Sequence, residues 1–395
     1  MNNVNSEEYR QQMDRALNFP SFVLVTTGRT GSDFLQSLLD SHTEVLTFNG
    51  IFSFYGFWNR AKVLKSTDPN VIDLFSEMYG FYIDKFKSRY DLVERKDQLG
   101  DTADQQIDID SNNFVNYACR YMAGREINSR NVLLATYLSY ACCLDQDINK
   151  KRMLFHHAHH HATIDPFIKD FPESKIVSMT RDPRANYYST IGHRDRIGTI
   201  SVAKIYSLTS RLFMDVKLLE KYNNDYLSIR VEDLGQKCIL EELCQWLSIN
   251  YEEVLLRSTW GGLQWRGDRV SVGNVDKVFG FSKKMLENNW EKKLGWLEKY
   301  LLNMLLNKRL VEYNYKNKRI SIKDYFLAPI CIPLPLKFER RLFNYKYIYY
   351  RTKSSGISAI RNDLLAYAKR IKLFYIFYIF ELFGKKAKIN YLKCS

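Results

Sequence analysis

The stretch "VLVTTGRTGSDFLQSLLDSH", Val23 to His42, decides how this chain is read. An apolar run gives way after Val25 to a short turn holding Gly28, Arg29, Thr30 and Gly31. From Ser32 to about Asp40 the apolar residues return at helical spacing. A strand, a glycine turn and a helix N-terminus make an anion site. The N–H groups of a first helical turn have no partner within the helix, and the helix dipole favours negative charge there. Thr30 and Ser32 add hydroxyl donors, and Arg29 adds a permanent charge on a forked donor. The turn suits a phosphate or a sulfate. It is not the loop of an ATPase or GTPase, because no lysine follows the second glycine before the hydroxyl residue. On this segment alone, an ordinary strand–helix turn with a solvated arginine stays open.

A second segment, "MTRDPRANYYST", repeats the logic. The strand "KIVSM" ends at Thr180 and puts Arg181 at its mouth, while Pro183 suits the first turn of a helix. Ser189 lies eight residues after Arg181, about two helical turns, so both can serve one ligand from one side. Arg184, Arg194 and Arg196 add positive charge nearby. Taken alone, the segment also fits an arginine paired to Asp182 and a solvated serine.

Around these two segments the chain reads as strands alternating with helices. Residues 1–18 read as a short helix or arm, 60–150 as mostly helical with an acidic irregular patch, and "KRMLFHHAHHH" as a strand. "DYLSIRVEDL" reads as a further strand running into a turn, and "CILEELCQWLSI" as an amphipathic helix. The alternation predicts an α/β fold: a parallel sheet flanked by helices, with a helical insertion. The 395 residues carry 46% hydrophobic and 26% charged side chains, the balance of a globular enzyme. The N-terminal residues lack the basic start and apolar core of a secretory signal, and no apolar run is long enough to span a bilayer. Seven irregularly spaced cysteines without a Cys-x-x-Cys pair argue against a disulfide framework or a zinc site, and point to a reducing cytoplasm.

The net charge of +14 is uneven. Residues 321–395 hold 15 Lys or Arg against 4 Asp or Glu, a net of +11. The expected organisation is therefore a catalytic domain over 1–320 and a basic, aromatic C-terminal extension over 321–395.

The two anion segments together resemble the sulfotransferase superfamily, whose donor is 3′-phosphoadenosine-5′-phosphosulfate (PAPS). The resemblance covers roughly residues 20–270, with "LSIRVEDL" similar to a later strand–turn element and "WRGDR", Trp265 to Arg269, to a C-terminal cofactor loop. "RTGS" and "LLDSH" are closer to the bacterial and carbohydrate enzymes of the family. The resemblance implies a P-loop NTPase-like sheet. It implies that Arg29, Thr30, Gly31 and Ser32 hold the 5′-phosphosulfate, and that Arg181 and Ser189 hold the 3′-phosphate. It implies a carbohydrate or glycolipid hydroxyl as acceptor and no metal. Arg29, standing where many relatives carry lysine, would stabilise the charge growing on the leaving phosphate oxygen.

Sulfuryl transfer to a hydroxyl also needs a group to take the acceptor's proton. Many relatives place a glutamate after the first helix; here "FNGIF" puts Gly50 in that place. "FHHAHHHA" holds five of the seven histidines. At strand period His157, His159 and His161 share one face, and His156 and His160 the other. In other branches of the family a strand histidine about 22 residues before the arginine is the base, and His159 stands 22 before Arg181. The candidates are His159 first and His157 next, since a histidine's ordinary pKa near 6.5 suits proton acceptance. A solvated strand end, a metal site and a grip on an anionic acceptor remain open for the cluster, and His42 is read as structural.

The extension mixes aromatics with Lys and Arg, and "LFYIFYIF" is too short to span a bilayer. It fits either a helix lying on an anionic membrane surface or a buried packing element. No nucleic-acid reader motif accompanies the charge. The expected location is cytoplasmic, with the membrane surface as a possible site of residence. Two other functions compete: a P-loop-type small-molecule kinase, and a non-catalytic peripheral membrane protein with a decayed nucleotide site.

Overall fold

A computed structural model describes residues 3–87, 99–160, 163–196, 201–219, 225–267, 280–281, 290–316, 320–384 and 390–394. Its centre is a parallel five-stranded sheet: β1 (Ser21–Thr26), β2 (Val45–Leu46), β3 (Met153–His160), β4 (Lys175–Thr180) and β5 (Tyr226–Arg230). The spatial order is β2-β3-β1-β4-β5. All six residues of β1 are buried, as an unbroken apolar run on a central parallel strand requires. Phe22 of β1 stacks on Phe155 of β3 with ring centres 4.6 Å apart. A two-stranded antiparallel ribbon, β6 (Thr259–Trp260) and β7 (Leu263–Gln264), lies apart from the sheet.

The helices follow in chain order. α1 is Asn3–Ala16 and α2 is Ser32–Leu39. The insertion between β2 and β3 holds α3 (Phe54–Trp58), α4 (Val71–Phe81), α5 (Ile83–Phe86), α6 (Ser111–Met122) and α7 (Ser129–Cys143). Asp110 and Asn128 start α6 and α7 by accepting from Asn113 N and Asn131 N, each at 2.9 Å. α7 is apolar on nearly every side and is buried from Val132 to Ala141.

α8 (Asp165–Asp170) joins β3 to β4, and α9 (Pro183–Arg196) and α10 (Val202–Leu219) join β4 to β5. α11 (Lys237–Leu247) follows, then α12 (Trp290–Lys293), α13 (Trp296–Leu305) and α14 (Asn307–Glu312). The basic segment forms α15 (Ile322–Cys331), α16 (Tyr345–Ser355) and the long α17 (Ile357–Phe383). Among the described residues no helix is long and apolar enough to cross a membrane.

Two apolar cores result. The larger surrounds the sheet and the insertion. The second joins Tyr187, Ile205 and Phe213 of α9 and α10 to Leu301 and Leu305 of α13 and to Phe374 and Phe377 of α17. The basic segment is thus packed on the helices that follow β4. Its last described residues return to the sheet: Ser228 N donates to Asn390 O at 2.8 Å, and Leu392 N to Ser228 O at 3.1 Å. Beside that edge Cys238 and Cys394 are disulfide-bonded, with Cα atoms 5.7 Å apart. This corrects the expectation from cysteine spacing. The pair is 156 residues apart in sequence and is brought together only by the return of the C-terminus to β5.

Candidate active site

Chain order and sheet order together locate a crevice. From β1 the chain crosses to one side of the sheet, toward β2 and β3; from β4 it crosses to the other, toward β5. The carboxyl ends of β1 and β4 therefore flank a switch point, where open parallel sheets bind ligands. The Arg29 turn leaves β1 there, and Arg181 follows β4 there.

The turn is held by its own backbone. Gly28, Arg29 and Gly31 all take positive φ, at 89°, 56° and 81°. Gly31 is fixed twice over: a Cβ at that position would lie 2.4 Å from Val231 Cγ2, and its φ is one that L side chains rarely adopt. Gly28 N donates to Thr26 Oγ1 at 2.9 Å, and the Thr26 and Thr30 hydroxyls bond each other inside the loop. Thr30 is thus turned into the turn, and its hydroxyl serves to shape it. Asn186 of α9 donates to Gly28 O at 2.8 Å and ties the turn to the second segment. Ser32 is buried as the first residue of α2, and Ser189 is half-buried on α9.

Asp182 is gripped by Arg184. Arg184 Nη2 meets Asp182 Oδ2 at 2.7 Å, its Nε meets Oδ1 at 2.9 Å, and its guanidinium lies over Trp290 at 4.4 Å. Arg184 is a structural clamp rather than loose positive charge. Burial pulls the Arg181 pKa down, Glu232 opposes that shift, and neighbouring Arg29 adds to it. Glu232 accepts from Asp182 N at 3.1 Å and from the Tyr315 hydroxyl at 2.8 Å. Arg29 and Arg181 are close enough to feel each other, a concentration of cation that favours a multiply charged anion.

The histidines sit on the other neighbour of β1. A bulge interrupts β3: Leu24 pairs with His157 but Val25 with His159, and His159 takes φ 70°. The strict alternation expected for the cluster therefore stops at Ala158. His159 is not displaced simply along the face of His157; its ring lies 5.5 Å from His157 and 4.5 Å from His160. His161 lies outside the described residues, as do Asp268 and Arg269 of "WRGDR". His156 and His157 are each 2% exposed, so this part of the cluster is not a solvated strand end. Among the described residues no group of three or more His, Cys, Asp or Glu is gathered as metal ligands would be.

Each histidine has a different role. His156 Nδ1 bonds the Tyr137 hydroxyl at 2.8 Å and its ring stacks on Phe167 at 4.6 Å, with burial pulling its pKa down to about 3. The Arg211 guanidinium of α10 lies 2.6 Å from His160 Nε2 and occupies that nitrogen's lone pair. His157 Nδ1 meets Gln36 Oε1 at 2.6 Å. Gln36 Nε2 donates to Phe48 O at 2.6 Å, so its Oε1 is the acceptor and His157 Nδ1 must carry the proton. His157 Nε2 is then the unprotonated nitrogen, and it is buried without a hydrogen-bond partner among the described residues. Burial holds the His157 pKa well below its ordinary value, against the opposing charge of Asp33 at 3.8 Å. Burial lowers His159 as well, with Asp33 opposing and Arg211 and Arg29 reinforcing.

Gly50 has φ 68°, and its carbonyl faces Gln36 Nε2 at 3.5 Å. Lys85 Nζ donates to the neighbouring Asn49 O at 2.9 Å. His42 is fully enclosed, with Nε2 2.8 Å from Asn250 O and Nδ1 accepting from Glu44 N at 3.1 Å. Both its nitrogens are used within the core. Sequence reading missed Gln36, Lys85, Arg211, Asn186 and Glu232. Only Gln36 left a signal, as a polar residue on the apolar face of α2 that is 1% exposed.

No protein-family model matches the chain, and no curated protein matches it. Among solved structures it is similar to the sulfotransferase domain from the Synechococcus PCC 7002 olefin synthase. The two share 15% identity over 76% of this chain and 97% of that chain, with a TM-score of 0.40.

Proposed function

We propose that the protein transfers a sulfuryl group from PAPS to a hydroxyl of a carbohydrate or lipid-linked glycan. The observation that supports this reading is that the positive-φ turn with Arg29 follows β1 and Arg181 follows neighbouring β4, with the histidine strand β3 paired to β1 on its other side. The donor set fits the ligand: backbone N–H groups at the start of α2 and two guanidiniums suit two separate anionic groups.

The donor supplies an activated sulfuryl group on a phosphate leaving group. Arg29 and the first turn of α2 would hold the 5′ end and offset the charge that grows on the leaving oxygen. Arg181, together with Ser189 from α9, would hold the 3′-phosphate. As the acceptor oxygen bonds to sulfur and the sulfur–oxygen bond to phosphate breaks, the acceptor proton passes to His157 Nε2. Gln36 keeps that nitrogen free of a proton beforehand. His159, nearer to Arg29 in charge, is assigned to the acceptor side of the pocket in this reading.

The test is release of adenosine 3′,5′-bisphosphate from PAPS in the presence of a glycan panel. Turnover that needs both an acceptor and His157 supports the reading. Turnover of ATP-Mg²⁺ in its place would make the enzyme a kinase.

A further inference from the structure

The basic C-terminal segment carries a surface that the catalytic reading does not use. α15 exposes Ile322 (76%), Phe326 (74%) and Ile330 (69%), spaced four apart on one stripe. α17 exposes Ile376, Ile379 and Phe383 at spacings of three and four, with Phe383 at 82%. The Tyr375 hydroxyl donates to Pro329 O at 2.9 Å and that of Tyr378 to Tyr325 O at 2.6 Å. The two helices therefore run antiparallel, side by side, and their outward stripes border one seam. Large apolar side chains exposed in rows, rather than singly, mark an interaction surface.

Among the described residues of this segment, the exposed charge beside the stripes is mostly basic. Of the four acids in residues 321–395, three are turned inward and paired. Glu339 meets Arg370 at 2.7 Å, Asp363 meets Arg351 at 3.2 Å, and Glu381 accepts from Lys308 N at 3.2 Å. The fourth, Asp324, is bonded to Ser321 N at 3.0 Å in a helix cap. The lysines stay outside: Lys323, Lys369 and Lys372 are all exposed beside the stripes.

We infer that this face of α15 and α17 lies on an anionic phospholipid bilayer, with the Phe and Ile stripes entering the headgroup boundary and the lysines meeting lipid phosphates. An apolar stripe flanked by Lys on a helix too polar to span is the pattern of in-plane binding. A second copy of the chain is the poorer occupant, because self-pairing would set two basic faces against each other. The inference stands independently of the donor site, since it uses none of its residues.

The experiment is flotation of the full chain with vesicles of phosphatidylcholine alone and vesicles containing phosphatidylglycerol. Binding is expected only to the anionic vesicles, weakening with salt. Lys369→Glu/Lys372→Glu should reduce it by about fivefold or more per lysine. Phe326→Ser/Ile330→Ser should abolish it with an unchanged melting temperature, since both residues are exposed. Absence of binding to anionic vesicles, or unchanged binding by both variants, overturns the inference. So does a concentration-dependent dimer in light scattering that only the Phe326→Ser/Ile330→Ser variant loses.

Discussion

His157 has two ring nitrogens with different fates. Nδ1 is bonded to Gln36, and Nε2, without a hydrogen-bond partner among the described residues, is the nitrogen that the proposed mechanism uses as base. Two expectations follow for catalysis. Replacing His157 with Gln should lower kcat by about 10²- to 10⁴-fold while leaving adenosine 3′,5′-bisphosphate binding unchanged. Burial keeps the wild-type ring neutral below its ordinary pKa. The acid limb of the pH–rate profile should therefore fall well under pH 6.5, where a solvent-exposed histidine base would put it. Gly31 gives a second residue-scale test. Gly31→Ala forces a Cβ against Val231 and onto an unfavourable φ, and should cost about 1–3 kcal/mol of stability. The turn's glycines and Arg29 were legible in the sequence because φ > 0 and anion chemistry leave residue-type signatures. Gln36 was hardly legible, because its partners come from positions 48 and 157, far along the chain.

At the scale of elements, β3 shows where period-two reading stops. A single extra residue at Ala158 and a left-handed His159 break the alternation, and no residue type at either position announces a bulge. The strands themselves were legible, since β1, β4 and β5 are apolar runs bounded by polar turns. α17 depends on a contact that sequence could not show. Arg370 and Glu339 are each about 1% exposed and meet in two hydrogen bonds, at 3.0 and 2.7 Å. Arg370→Met should destabilise the protein by about 3–5 kcal/mol, because Glu339 is left buried and unpaired. Adding Glu339→Leu should restore most of the loss. Urea denaturation of the two variants measures both effects.

At the scale of the molecule, the parallel sheet was legible from alternation, and the second core was not. It is assembled from α9, α10, α13 and α17, whose apolar stripes say that they are covered but not by what. The return of the C-terminus to β5, and the disulfide beside it, belong to the same long-range class. Burial of neutral histidines gives the whole fold a pH dependence. For His156 the unfolded state binds its proton near pH 6.5 and the folded state only near 3. Stability is then fully present above about pH 6.5 and is lost as the pH falls toward 3, by roughly 2 kcal/mol for this group at pH 5. Urea midpoints at pH 8 and pH 5 should differ accordingly, and His156→Phe should narrow the difference.

The central claim is that the β1 and β4 ends form one site for a bis-phosphorylated adenosine. Calorimetric titration with adenosine 3′,5′-bisphosphate, on wild type and on Arg181→Ala with its fold checked by thermal melting, tests it most directly. One-site binding that weakens about tenfold to a hundredfold in the folded variant is the predicted result. No binding by wild type, or equal binding by the variant, would contradict it.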